Sequence, residues 1–400
     1  MNRTCQFFGR WVGTVLIATL GGVLGARSAL ADEPVSELGS LVTYRVMHSF
    51  EGPDGQNPRS DLIVGSDGKI HGVTSYGGRR DIGGTSFRMA LSGQMSVLHR
   101  FEQRNGLQPS GLMLGVDGMY YGVASRGGSL RGGTVYRMAP YGHVTVLHSF
   151  DTTLPEGRSP TAPLLQASDG QLYGTTRLGG GGNGDGSIFR ISTNGDFQVL
   201  HQFGKGKDNG SGTSAQLMQA DDGQLYGVTH LGGKYFSGTI YRLTLAGTFE
   251  VLHSFVRSGD DGSNPTSQLI QNPDGYLYGT CVWGGVHGSG TLFRFSPATG
   301  ELTVLHHFPR HTNPSGNLVL ARDGSFYGVT TGGGKFQGGT IFRLTPNGDF
   351  TQLHSFSAPG TSGGYYPSGG LVETSDGEFY GTTSAGGDHD KGTVYRLRVK

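Results

Sequence analysis

Near the end of the chain, Asp388, His389 and Asp390 set two carboxylates beside an imidazole. Such a group can move protons as general acid and base, or form half of a metal site. It sits in a glycine-rich segment, SAGGDHDKG (384–392), and six more segments of this kind carry other side chains. SYGGRRDIGG (75–84) carries Arg79, SRGGSLRGG (125–133) Arg126, RLGGGGNGDG (177–186) Arg177, and HLGGKYFSG (230–238) His230 and Tyr235. VWGGVHGSG (282–290) carries Trp283 and His287, and TGGGKFQGG (331–339) carries Lys335 and Phe336. Rings that stack and cations that hydrogen-bond suit a sugar or an anionic polymer. The same residues on glycine loops also read as ordinary variable surface, and Asp388 to Asp390 as three solvated side chains.

Other chemistry is sparse. EGPDGQNP (51–58) and SGDDGSNP (258–265) cluster the oxygen-bearing residues that ligate calcium. No glutamate closes either loop, and Asp-Gly and Asn-Pro form turns without a metal. Calcium is the one cofactor these loops suggest, and no other is expected. No Gly-x-Ser-x-Gly stands between a strand and a helix, as a nucleophile elbow requires, and there is no His-Glu-x-x-His pair. The Gly-Gly pairs open no helix that could offer amides to a phosphate. With 31 Lys and Arg against 30 Asp and Glu, the formal net charge is +1, so no global field favours nucleic acid, which is not expected as a partner.

These residues are placed by a repeat. A histidine before x-Phe recurs at His48, His99, His148, His201, His253, His306 and His354, spaced by 48 to 53 residues, a period that belongs to propeller-like arrays. Asp-Gly keeps step from Asp67 to Asp376, and aromatic-Gly from Tyr121 to Tyr380, with His71 replacing the tyrosine in the first copy. Gly-Gly, Gly-Thr and then aromatic-Arg follow, from Arg88 to Arg396. Each copy reads as four short strands rich in Val, Ile, Thr, Tyr and Phe, divided by Asp-Gly and Asn-Gly turns. Four strands repeated seven times predict an all-β fold, a seven-bladed β-propeller. Residues present in every blade are scaffold, so the seven histidines are read as packing or hydrogen-bonding groups rather than a ring of metal ligands. The recurrent Asp and Arg of one blade are expected to pair.

The ends complete the count. LVTYRVMHSF (41–50) is a fourth strand without its first three, and GTVYRLRVK (392–400) a third strand without its fourth. The N-terminal strand, about 42–50, is expected to pair with about 392–398, closing the ring and covering an exposed edge. The propeller then spans 42–400.

The tandem pattern LYG-T-x-x-GG-x4-GT-[IV]-[YF]-R-L…LHSF, in seven copies over about 42–400, resembles the GloVer repeat of exported bacterial proteins described as choice-of-anchor tandem-repeat proteins. The resemblance implies export and no assigned reaction. Relatives often carry a C-terminal sorting segment, whereas this sequence ends at Lys400 inside the last repeat. Arg3 and Arg10, an apolar run from Trp11 to about Ala26, and ALA (29–31) before Asp32 read as a signal peptide cleaved after Ala31, with 32–41 a short linker. Export to the periplasm or medium is expected, with no membrane contact after cleavage. Cys5 leaves with the peptide, and Cys281 reads as a buried small hydrophobe.

The leading functional expectation is a monomeric binding module that offers one variable loop face to a glycan or protein partner. The alternatives are a lyase or hydrolase acting on a carbohydrate or lactone, with His230, His287 or His389 as acid or base, and a purely structural envelope protein. Propellers host all three.

Overall fold

The computed structural model describes residues 42–79, 82–180, 184–204, 209–213, 215–257 and 260–400. The expected signal peptide (1–31) and linker (32–41) lie outside the described residues. Seven four-stranded antiparallel meanders form a seven-bladed β-propeller, as the repeat predicts. The fourth blade is typical: Met218–Gln219, Leu225–Thr229, Thr239–Leu243 and Phe249–Ser254 follow one another from innermost to outermost. Its second strand, LYGVT, is buried at every position because a blade packs on each of its faces. Gly227 is fixed by that packing, since a Cβ there would lie 2.4 Å from the Tyr241 hydroxyl.

The seventh blade joins the two ends. Val42–Ser49 pairs antiparallel with Thr393–Val399, Val42 opposite Val399, Tyr44 opposite Leu397 and Ser49 opposite Thr393. Seven apolar clusters form the core, one between each pair of neighbouring blades. The cluster between the last and first blades joins Tyr380 and Val394 to Leu62, Ile70, Phe87 and Met89. Beside it Gly392, at φ +97°, has Pro58 Cδ where a Cβ would be, at 2.6 Å. A side chain there would strain the backbone and push the two blades apart.

The recurrent histidines are scaffold. Each follows a bulge in the outermost strand that leaves the preceding Leu, or Met47, unpaired. His148, His201 and His306 stack on Phe197, Phe249 and Phe350 of the next blade at 3.7–3.9 Å between ring centroids. His354 stacks on Tyr44 at 4.1 Å, so the closing strand takes the same part. Other edges of these rings hold the loop that follows. His48 meets Asp54 at 2.8 Å, His99 meets Asn105 at 2.8 Å, His201 meets Asn209 at 3.0 Å and His253 meets Asp261 at 3.1 Å. Asp54 and Asp261, the acidic centres of the two calcium-like segments, thus serve as histidine partners.

A hydroxyl pair lies below five of the seven loops. Thr229 Oγ1 and Thr239 Oγ1 are 2.9 Å apart, and the pairs Thr74/Thr85, Thr176/Ser187, Thr330/Thr340 and Thr383/Thr393 repeat this at 2.7–2.9 Å. Outward, Thr229 donates to the Leu231 carbonyl, and Thr85 donates to that of Asp54. In the fifth blade Cys281 takes the second-strand position, fully buried, with burial raising its pKa well above the ordinary thiol range. Cys281→Thr is therefore expected to restore the common pair and leave the melting temperature equal or higher, while the native wild-type thiol stays inert to Ellman's reagent. Rapid labelling of the folded protein, or a loss of stability in the variant, would contradict this.

The expected Asp–Arg pairing is corrected in most blades. In five blades the turn aspartate instead accepts from the tyrosine four residues on: Tyr121 to Asp117, Tyr173 to Asp169, Tyr226 to Asp222, Tyr278 to Asp274 and Tyr327 to Asp323, at 2.7–2.9 Å, whereas Asp376 accepts from Thr374 and Tyr380 turns to the Leu91 carbonyl. Burial and then the carboxylate push the Tyr226 hydroxyl up to about 12. His71 does the tyrosine's work in the first blade, 3.1 Å from Asp67. Arg343 does reach Asp323 at 3.0 Å and Arg88 reaches Asp67 at 3.9 Å, but Arg242 turns to Glu250 at 2.5 Å. A tyrosine hydroxyl four residues along the chain is closer to the turn than a guanidinium arriving from the third strand.

Candidate functional loop face

Two sets of loops share one face of the ring: those between second and third strands, and those between blades. All twelve candidate residues lie on the first set. Of the thirteen large apolar side chains that stay exposed among the described residues, eleven are on this face, and only Val116 and Tyr141 are on the other. The variable residues and the unburied apolar surface therefore coincide.

The cations gather over the first three blades. Arg79 is 3.7 Å from Glu102, which Arg104 also approaches at 3.7 Å, beside a cleft of about 410 Å³. Arg126 shares a second cleft, of about 580 Å³, with Arg131 and Arg158. Gln103 and Leu107 line both, so the clefts form one continuous groove. Beyond it, Arg158 and Leu178 exchange backbone hydrogen bonds at 2.7 and 3.1 Å, which brings Arg177 alongside. Arg177 in turn faces His230, whose Nδ1 lies 3.2 Å from the Pro265 carbonyl of the next blade. Burial, more than the Arg177 charge, lowers the pKa of His230.

The aromatic residues occupy the next three blades. Lys234 lies over the Tyr235 ring at 5.3 Å and Lys335 over Phe336 at 5.2 Å, both pairs at loop tips. Trp283 is 53% exposed at the end of its strand, opposite Ser263. His287 sits beside His306 and His307 of the same blade. In the seventh blade, Asp390 accepts from the Tyr365 hydroxyl at 2.6 Å and the Gly386 amide at 2.8 Å, so it braces its own loop. Asp388 lines a different cleft with His48 and Glu51. The three candidate imidazoles, His230, His287 and His389, thus stand on different blades; His230 and His287 have different neighbours.

A polar cluster that no loop pattern announces lies at the axis. Asp61, in the first blade, accepts from Asn317 Nδ2 of the sixth at 2.5 Å and from the Gly370 amide of the seventh. A side chain can touch a blade two places away only near the ring's centre. Asn317 Oδ1 accepts from the Gln268 amide at 2.6 Å, and Gln216 Nε2 donates to the Leu164 carbonyl at 3.0 Å, carrying the ring of contacts onward. Burial raises the Asp61 pKa despite its two donors. The residue before the inner-strand leucine reads Asp61, Gly111, Pro163, Gln216, Gln268, Asn317 and Gly370. That variation between copies marks the axis in the sequence, as the variable loops mark the rim. Arg131 and Arg158 carry the same signal on the loop face.

Among solved structures, similar folds include a virginiamycin B lyase from Staphylococcus aureus, at 14% identity and a TM-score of 0.62 over 90% of this chain and all of that one. An oligogalacturonate lyase from Vibrio parahaemolyticus is 13% identical, with a TM-score of 0.58 over 91% of this chain and 95% of that one. The extracellular domain of a hybrid two-component system from B. thetaiotaomicron is 12% identical, with a TM-score of 0.60 over 89% of this chain and 41% of the other. At these identities the likeness concerns the fold alone. No curated protein matches the chain. A family model described as the Gloeobacter/Verrucomicrobia repeat matches residues 38–221 and 214–400, and with that pattern running the length of its propeller the chain belongs to this family.

Proposed function

We propose that the protein is an exported recognition module that holds a glycan on its loop face. The observation that carries this is the segregation of exposed apolar side chains to one face, where Trp283, Tyr235 and Phe336 stand among cations. Apolar side chains left exposed together on one face mark it for interaction, and flat rings beside cations match sugar faces and their hydroxyls. No catalytic step is included, because His230, His287 and His389 are not assembled with one another. The dispersed aromatics favour an extended ligand over a small buried one.

A glycan array read with wild type and Trp283→Ala tests this. Wild type is expected to retain a defined set of glycans, and the variant to bind them about tenfold more weakly, the loss of one stacking contact of roughly 1–2 kcal/mol. An array with no bound glycan, or equal binding by the variant, ends the proposal and turns attention to a protein partner.

A further inference from the structure

We infer that the arginine groove over the first three blades receives the charged groups of an acidic polysaccharide, a chain whose sugars carry carboxylate or sulfate. The inference rests on the glycan reading above and gives it a ligand class. Arg126 ends the second strand of the second blade, Arg131 opens the third, and Arg158 is on the connection to the third blade. Among the described residues none of the three has a carboxylate partner, whereas Arg79 and Arg104 share Glu102. Arg158 Nη1 donates to the Thr152 carbonyl at 3.2 Å, which anchors the guanidinium and leaves its other donors to the cleft.

Three guanidinium groups around a cleft of about 580 Å³ repel one another until an anion enters. Each presents a planar fork that matches a carboxylate or sulfate with paired hydrogen bonds. The remaining wall holds Gln103, Ser125, Thr152 and Ser159, uncharged groups that suit hydroxyls. The adjoining cleft, where Glu102 offsets the arginines, continues the path for a linear chain. Phe101, the one aromatic residue on either wall, is 3% exposed, so the groove offers no platform for stacked bases. The clefts are wide and glycine-edged, with Gly83, Gly127 and Gly132 at their margins, and this shape suits a polyhydroxylated chain better than an acidic peptide that needs apolar anchor pockets.

Calorimetric titration of the intact propeller with four probes tests this: oligogalacturonate, a heparin-derived oligosaccharide, a neutral malto-oligosaccharide and poly-L-glutamate. Binding of one or both acidic sugars is expected, the better of them identifying carboxylate or sulfate. Affinity should fall at least about tenfold in Arg126→Gln/Arg158→Gln and again on raising salt from about 50 to 300 mM, with the melting temperature unchanged. The inference is overturned if poly-L-glutamate binds as tightly as the sugars, or if acidic sugars bind the double variant equally. Binding of neutral glycans alone would overturn it while leaving the glycan proposal standing. If no glycan of any class binds here or on the array, both fall together.

Discussion

Deleting residues 42–49 from a chain that begins at residue 32 is expected to yield aggregated protein with no cooperative melting transition. The segment supplies the seventh blade's outermost strand, and without it Thr393–Val399 becomes an unpaired edge open to other chains. Two cores lose material as well: Val42 and Tyr44 pack between the sixth and seventh blades, and Met47 between the seventh and first. Tyr44 shows the concentration of contacts, stacking on His354, meeting Phe356 edge-on at 5.6 Å and donating to the Gly363 carbonyl at 2.8 Å. Tyr44→Ala alone should cost about 3–5 kcal/mol. Moving the strand to the C-terminus through a short linker should restore a monomer, because it would continue from Val399 as the outermost strand does in the other six blades. Size-exclusion chromatography and thermal melts decide the matter. A soluble, monomeric deletion variant that melts near the parent would show that the strand is dispensable.

Stability should also fall on acidification between about pH 6.5 and 4, and His306→Phe should flatten much of that slope. His306 stacks on Phe350 at 3.7 Å, and its Nε2 has no hydrogen-bond partner among the described residues. Burial, with smaller repulsion from His307 and His287, lowers its pKa from 6.5 to about 4. An unfolded chain therefore takes up a proton near pH 6.5 that the folded ring refuses until about pH 4. The folded state keeps its full margin above that window and loses it progressively within it, by about 3 kcal/mol for this residue. Burial lowers His99, His148 and His201 in the same direction, so the variant should retain a residual slope. Melting temperatures at pH 7.5 and pH 5 give the readout. An unchanged difference between them in His306→Phe would refute the assignment.

The blade count, the strand order and the ring closure were legible because each rests on a repeated signal, such as the seven histidines or the half-repeat at each end. The tyrosine partner of the turn aspartate was legible in principle, since Asp222 and Tyr226 keep a fixed four-residue spacing. Arginine's preference for carboxylates suggested a pair that, among the described residues, forms in only two blades, Arg88 with Asp67 and Arg343 with Asp323, because position on the strand outweighed charge. The groove was half legible: Arg79 and Arg126 were singled out, whereas Arg158 enters from the connection after a different strand. No local pattern reveals that Asp61 and Asn317 meet, because their contact follows from ring geometry and they are 256 residues apart.

The hydroxyl pairs under the loops bear on how such a surface can diversify. Thr229 and Thr239 fix the two ends of HLGGKYFSG from below, so its contents can change without disturbing the sheet. Four sister loops rest on the same pair, and where Cys281 or Ala124 replaces the first hydroxyl, Thr291 or Thr134 still donates to the neighbouring connection. A loop moved from one blade to another should keep its shape and lose only its neighbours. A loop whose ends are already fixed also gives up less conformational freedom when a ligand arrives. The seven bases thus act as interchangeable sockets, through which a family could change what it recognises one segment at a time.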